Sequence, residues 1–408
     1  MNDFVLFLCG GKWQLPWFKF LKSKGHQIIL VDPYNTSPCV AHADVFFQQD
    51  VKNVDAIYDF IIKNNYSISL VTSEQTDVSA LPVAVLSKKL GTKANLSEVV
   101  ERFTNKYVSR SFIKTKFDSH FPKFIAASSA NEVQEFIVEL NKDVIIKPID
   151  AQSSRGIFKL NATSSYVEIE SAFSKSINFS SNNFIIAEEF IVGEEITLEG
   201  FCFKNKHVTL AGSNKTHFRT GIASNLNYPL NLSPTFSHDL ISFHNHLVET
   251  LGLDFGITHS EYLIDQKSES FWLVEVACRG GGSLIPSHIV PWVSLFPLYE
   301  NYYRVLFETN FSIDLKQSNI KNERFAKLHF FEFETGLVKS ISGIEECCKM
   351  PEVVDIGLEF SVGDTIFPAD DDRSRQGYVI VATNSQEEVN KAIKAIYSTI
   401  KIEYGTNV

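Results

Sequence analysis

Apolar and polar positions change their period several times along this chain. FVLFLCGG reads as a buried strand entering a glycine turn, and LPWFKFLKSKG as a helix stopped at Gly25. HQIILVDP is a second strand ended by Pro33, VDAIYDFIIKNN a helix, and YSISLVTSE another strand. Strand and helix periods in alternation predict a parallel sheet with crossover helices, arranged as a Rossmann-like layer. Gly10 and Gly11 do not complete GxGxxG, so a tight strand-to-helix turn is expected there rather than a dinucleotide site.

The pattern shifts at about Asn105. NKYVSRSFIK is helical and basic, and DVIIKPIDAQSSRGIFKL reads as a hairpin with a long polar tip. NFIIAEEFIVGEEITLEGFCF reads as strand, turn, strand. GSNKTHFRTGIASNLNYPLNLSP is polar and long enough to predict a functional loop. SHDLISFHNHLVETLGL is an amphipathic helix, and GITHSEYLIDQKSESFWLVEVACRGGG two strands around a polar turn. The stretch from about Phe325 is strand-rich with one late helix, SQEEVNKAIKAIYSTIKI, whose Ser385 and Glu388 have capping-box spacing. It predicts a small α+β lid.

Composition narrows the function class. The chain has 408 residues, enough for two or three domains, and its 44% hydrophobic and 21% charged content is that of a globular protein. A net charge of −10 argues against nucleic acid or an anionic membrane surface as partner. Six cysteines show no CxxC pair and no zinc spacing, and read as reduced packing thiols. The N-terminus lacks a basic leader and a cleavage site, and no run approaches ~18–20 apolar residues. The expectation is a cytoplasmic protein with no membrane span.

Three stretches carry chemistry. Lys147 ends an apolar strand, where a buried ammonium needs an anionic partner; the small-residue loop after it, with Ser153, Ser154 and Gly156, could wrap a polyphosphate. The plainer reading is a polar hairpin tip. In AEEFIVGEE, a strand, a hinge at Gly193 and the carboxylates Glu188 and Glu195 could hold a purine and a ribose; the plainer reading is an acidic hairpin. Glu261 and Glu275 sit on strands joined by a turn and can face each other. Two such carboxylates repel unless cations intervene, and Mg²⁺ suits hard oxygens completed by water and phosphates. His259 and Glu261 form an HxE without the PCxxC a zinc deaminase needs.

These pieces, in this order and over nearly the whole chain, resemble the ATP-grasp superfamily. The resemblance implies a mixed α/β and α+β architecture. A Rossmann-like pre-domain would span 1–104 and a two-subdomain nucleotide clamp 105–324, its mobile small part at about 120–190. A C-terminal α+β lid domain would span 325–408. It implies ATP and one or two Mg²⁺ ions, with Mn²⁺ able to substitute. Lys106 and Lys147 would contact phosphates, Ser153, Ser154 and Gly156 would cover them, Glu188, Glu189, Phe190 and Ile191 would line the adenine pocket, and Glu195 would bind the ribose. Glu261 and Glu275 would hold Mg²⁺.

Many ATP-grasp enzymes have Asn two residues after the second glutamate; here Ala277 stands there and cannot ligate. EVACRGGG resembles instead the L-amino-acid ligases and their carboxylate–amine ligase relatives, as does GDTIFPADDDRSRQGYVIVAT. That branch implies ADP-forming C–N ligation of small-molecule carboxylates and amines through an acyl phosphate, with an amino acid as a substrate and a homodimer as a common assembly. Arg279 and Lys147 would be catalytic. Arg279 would steady the acyl phosphate and oxyanion, and Gly281 and Gly282 would let backbone amides approach the acyl group. Lys215, His217 and Arg219, in the long polar stretch, are candidates for the substrate carboxylate or for amine deprotonation. Glu74 is a candidate for a substrate ammonium, with a helix-start carboxylate as the plainer reading, and His288 reads as a packed histidine. Two other readings stay open: a bicarbonate-using carboxylase, and a nucleotide-binding regulator without turnover.

Overall fold

The computed structural model describes residues 3–150, 155–219, 221–315 and 324–405. Its first layer is a parallel sheet of β1 (Asp3–Leu8), β2 (Gln27–Asp32), β3 (Val45–Gln48) and β4 (Ser67–Thr72), in the order β3-β2-β1-β4. The apolar runs FVLFL and IILV are buried on both faces, as a parallel sheet flanked by helices demands. Helix Leu15–Ser23 follows the first glycine turn, and Gly25 lies just beyond it at φ +87°. In that turn the Gly10 amide donates to Asp32 at 2.6 Å, so the glycines serve a tight turn tied to β2.

A second, antiparallel sheet holds β5 (Phe124–Ala127), β6 (Val144–Pro148), β7 (Phe158–Leu160) and β8 (Ile185–Glu189), in the order β5-β8-β6-β7. The hairpin read in DVIIKP…FKL is present as β6 against β7. Ser153 and Ser154, at its tip, lie outside the described residues. The stretch read as strand, turn, strand is not a hairpin. β8 belongs to this small sheet, whereas β9 (Glu194–Phe203) pairs in the large one. Residues 190–193 therefore cross between two sheets.

The large sheet runs β13-β12-β9-β10-β11-β14-β18-β16 among the described residues. Its further strands are β10 (Lys206–Arg219), β11 (Ile222–Tyr228), β12 (Phe255–Asp265), β13 (Ser270–Ala277) and β14 (Phe325–Phe330), then, beyond β15 (Gly336–Ser342), β16 (Val353–Leu358) and, beyond β17 (Thr365–Ile366), β18 (Gly377–Thr383). β15 pairs with β17 and with β19 (Lys401–Tyr404) in a small annex. Two expectations are corrected here. The polar stretch containing Lys215, His217 and Arg219 is no loop: it is the end of β10, paired with β9 on one side and β11 on the other. Polar side chains there line a cavity, so polarity marked a wetted sheet face rather than irregular chain. The C-terminal strands also do more than cap: β14 pairs with β11 and extends the central sheet. Ser385 caps the last helix by accepting from the Glu388 amide.

Candidate active site

Strand period 2 assembles the site. On β12, Tyr262 and Ile264 pack into the core while His259, Glu261 and Leu263 line a cavity of about 1120 Å³. On β9, Ile196 and Leu198 go inward, and Glu195 and Thr197 face the cavity. Lys215, His217 and Arg219 do so on β10. The registers set these side chains in rows. Glu275 is opposite Glu261, and Glu261 opposite Thr197. Leu263 is opposite Glu195, and Glu195 opposite Lys215.

The two carboxylates placed together by the sequence reading are thus neighbours on paired strands. Each already faces an ammonium: Lys215 lies 2.9 Å from Glu261, and Lys106 3.3 Å from Glu275. Burial alone would raise the Glu261 carboxyl, but Lys215 and His259 hold it well below the usual carboxylate range. Lys215 also pairs with Glu195, which holds His217 at 2.9 Å. No group of three or more His, Cys, Asp or Glu able to enclose a metal exists among the described residues. Two hard carboxylates beside a phosphate-sized space still fit a divalent cation that takes its remaining ligands from phosphate and water.

Ala277 is fully buried and pairs in register with His259. Burial would lower that imidazole, yet the Glu199 carboxylate at 2.7 Å and Glu261 at 3.6 Å raise it to about 9. An imidazole held by two carboxylates therefore sits beside the position where an asparagine ligand would stand.

The opposite wall comes from helix Lys106–Lys114 and the small sheet. Asn105 caps that helix, accepting from the amides of Tyr107 and Val108, and so places Lys106 at its start. Lys147 donates to Glu188 at 2.8 Å, and Arg110 donates to the same carboxylate at 2.7 Å. All three are buried. Burial would raise Glu188, but Arg110 and Lys147 bring it down to about 2. Glu188 lines the cavity with Glu189, Phe190 and Ile191, yet its carboxylate is committed to this triad. The Glu189 amide donates to the Lys123 carbonyl at 2.8 Å, and Lys159 lies over the Phe190 ring. Gly156 has φ +70°, and a Cβ there would come within 2.8 Å of Pro148 and Phe179, so close packing requires glycine.

The loop after β13 and the turn after β4 depart from expectation in three ways. Arg279 lines the cavity, but its fork grips Asp77 at 2.6 and 3.0 Å, and its third nitrogen donates to the Gly280 carbonyl. Gly281 does not offer its amide to the cavity, because that amide donates to Glu199 at 3.4 Å; Gly282 does line the cavity. Glu74 is neither an exposed helix-start carboxylate nor open to a substrate ammonium. It is 3% exposed, accepts from the Gly280 amide at 2.6 Å and from Tyr299 at 3.1 Å, and leaves Gln75 and Thr76 to line the cavity. A Cβ on Gly280 would come within 2.9 Å of that carboxylate and 2.6 Å of Pro286. Arg219 pairs with Glu332 at 2.5 Å near the cavity rim, and His288 lies outside the lining, against Ser287.

Burial pushes Glu74 up to about 7, against the amide and hydroxyl that favour its charge. The folded protein thus binds this proton more tightly than the unfolded chain. Its contribution to stability is present below pH ~4.5 and is lost as pH rises toward 7. Glu74→Gln is expected to gain stability relative to the parent by on the order of 3 kcal/mol between pH 4.5 and 8. Paired thermal melts across that range check this; a pH-independent difference would remove the argument.

Arg110 and Asp77 escaped the sequence reading. Arg110 shares a helix face with Lys106 and Ile113 by i, i+4, i+7 spacing, a usable signal. Asp77 lies 202 residues from Arg279, with no local sign of the pairing.

Known proteins share parts of this sequence and this fold. Residues 140–287 match the ATP-grasp domain model, and residues 329–405 match L-amino acid ligase C-terminal domain 2. Dapdiamide A synthase of Enterobacter agglomerans is 21% identical over 311 residues, covering 75% of this chain and 73% of that protein. The L-amino acid ligase structure from Bacillus licheniformis superposes with a TM-score of 0.82 at 17% identity, covering 99% of both chains. The phosphoribosylglycinamide synthetase structure from Anaerococcus prevotii gives 0.77 at 19% identity, over 99% of this chain and 100% of that one. The two domain matches give this chain an ATP-grasp domain over residues 140–287 and an L-amino acid ligase C-terminal domain over residues 329–405.

Proposed function

We propose that the protein is an ATP-dependent carboxylate–amine ligase that forms an amide or peptide bond through an acyl phosphate, with an amino acid as a substrate. The observation that carries this is the pairing of Glu261 with Glu275 on the wall of a cavity that Arg279 also lines. Phosphate, metal and acyl chemistry can meet there.

In this reading ATP lies between the two sheets. Phe190 and Ile191 flank the base, and Glu195 takes the ribose. Lys106 and Lys147 contact phosphate oxygens. Mg²⁺, held by Glu261 and Glu275, would supply charge neutralisation at the phosphates. Lys106 and Lys215 now neutralise those carboxylates, so nucleotide binding exchanges partners rather than creating charge. A substrate carboxylate oxygen attacks the γ-phosphorus and ADP departs. The amine nitrogen then attacks the acyl carbon, and phosphate leaves with the bonding electrons. His217, held by Glu195, is placed to take the ammonium proton. Arg279 stabilises oxyanion charge with a fork already aligned by Asp77, so little reorganisation is needed as charge develops.

The test is phosphate release with ATP, Mg²⁺ and amino acids supplied singly and in pairs. Release that requires both a carboxylate and an amine supports ligation. Bicarbonate-dependent ADP formation without an organic acid would support the carboxylating reading instead. Glu275→Ala is expected to abolish turnover, and unchanged release would overturn the metal assignment.

A further inference from the structure

Beyond β11 the cavity changes character. β14 and β18 bring Phe330 and Tyr378 to it, β11 brings Ile222 and Leu226, and Trp13 and Ile285 complete an apolar wall. Trp13 and Tyr378 meet edge to face, with ring centres 5.2 Å apart. Two cations stand against this wall: Lys12 lies over the Trp13 and Tyr378 rings and pairs with Glu359 at 2.7 Å, and Arg375 faces Phe330. Arg375 lies flat on Phe330, its guanidinium carbon 3.7 Å from the ring centre, and pairs with Asp372. Its side chain is only 13% exposed, and its buried Nε has no hydrogen-bond acceptor among the described residues.

Other cavity cations are paired, and Arg373, at the same end, is the more exposed and pairs with Asp371. Lys147 serves Glu188, Lys215 serves Glu195 and Glu261, and Arg279 uses all three nitrogens on Asp77 and Gly280. A buried donor left unsatisfied is costly, and a guanidinium stacked on a ring presents its edge to an oxyanion. We infer that Arg375 and the wall around Phe330 form the subsite of the amine substrate, which carries a free carboxylate and an apolar side chain.

This rests on the ligase reading. The carboxylate that becomes the acyl phosphate must lie at the phosphates, near Lys147 and Arg279. A second oxyanion receptor across β11 suits a carboxylate that the reaction leaves intact. Glu359, Asp370 and Asp372 line the same end of the cavity. They repel an anionic side chain and tolerate an ammonium. A phosphoryl oxygen of ATP offers Arg375 the same chemistry, so the experiment separates the two sources.

The intact chain is assayed for phosphate release with ATP, Mg²⁺ and a saturating amino acid as the carboxylate donor. The varied amine is leucine or phenylalanine, the corresponding amino-acid amide, or aspartate. The parent protein is expected to favour the apolar amino acids over both their amides and aspartate. Arg375→Gln should raise the KM of the apolar amino acid by about tenfold or more, leave that of the amide and of ATP unchanged, and so erase the preference. A parent that uses amide and acid equally overturns the proposal, and this comparison needs no variant. A variant that raises the KM of ATP assigns Arg375 to phosphoryl oxygen and also overturns it. If no amine supports release, the ligase reading itself falls and takes this one with it.

Discussion

Arg279→Ala is expected to lower kcat by about 10²–10³-fold, the scale seen when a preorganised oxyanion donor is removed, while ATP affinity changes far less. The reason lies in the geometry. Arg279 lines the cavity, and among the described residues its hydrogen-bond partners are Asp77 and its own loop. Under the proposed function its charge is held for an event in the reaction and contributes little to ground-state nucleotide binding. Arg279→Lys should recover only part of the loss, since an ammonium keeps the charge and loses the fork. Isothermal titration with ATP beside steady-state rates decides the matter. Equal losses in rate and in affinity would sink the proposed role. A thermal melt is the control, because either substitution loosens a nearly buried Asp77.

Glu188→Ala is expected to destabilise the fold by about 3–5 kcal/mol, the usual result of stripping one partner from a buried ion pair. Two cations depend on this carboxylate, and Arg110 is 2% exposed. Arg110 also donates to the carbonyls of Leu273 and Val274 on β13, so the triad ties the small sheet, the helix and the large sheet together. Glu188→Gln keeps the shape and removes the charge, and should fall between parent and alanine. Chemical denaturation gives the ordering; an alanine variant as stable as the parent would show that the triad is not a structural tie.

The candidate site residues stood out in the sequence where they broke a local rule. Lys147 interrupts an apolar strand, Glu275 sits between valines, and three glycines follow Arg279. The parallel first layer was also readable, since β1 and β2 are unbroken apolar runs. What could not be read was which strand meets which. The crossing at 190–193 looks like a hairpin turn because strands that flank a turn look alike whether they pair or part. The end of β10 looks like a loop because one wetted face carries lysine, histidine and arginine. The pairings of Glu74 and Glu199 were beyond reach for the same reason: their partners, Gly280, Gly281 and His259, are brought to them only by the closed fold.

The continuous pairing of β11 with β14 bears on how this protein could be re-engineered or recombined. Tyr228 faces Ala326 and Asn225 faces His329 across that seam. A chain cut before β14 would leave β11 as an open sheet edge, with Leu226 and Tyr228 stripped of cover, a template for self-association. The C-terminal segment is therefore not an interchangeable cartridge. Exchanging it with that of a relative would succeed only if the β11–β14 register travelled with it, and Phe330, Arg375 and Tyr378 on the cavity wall would be replaced in the same exchange.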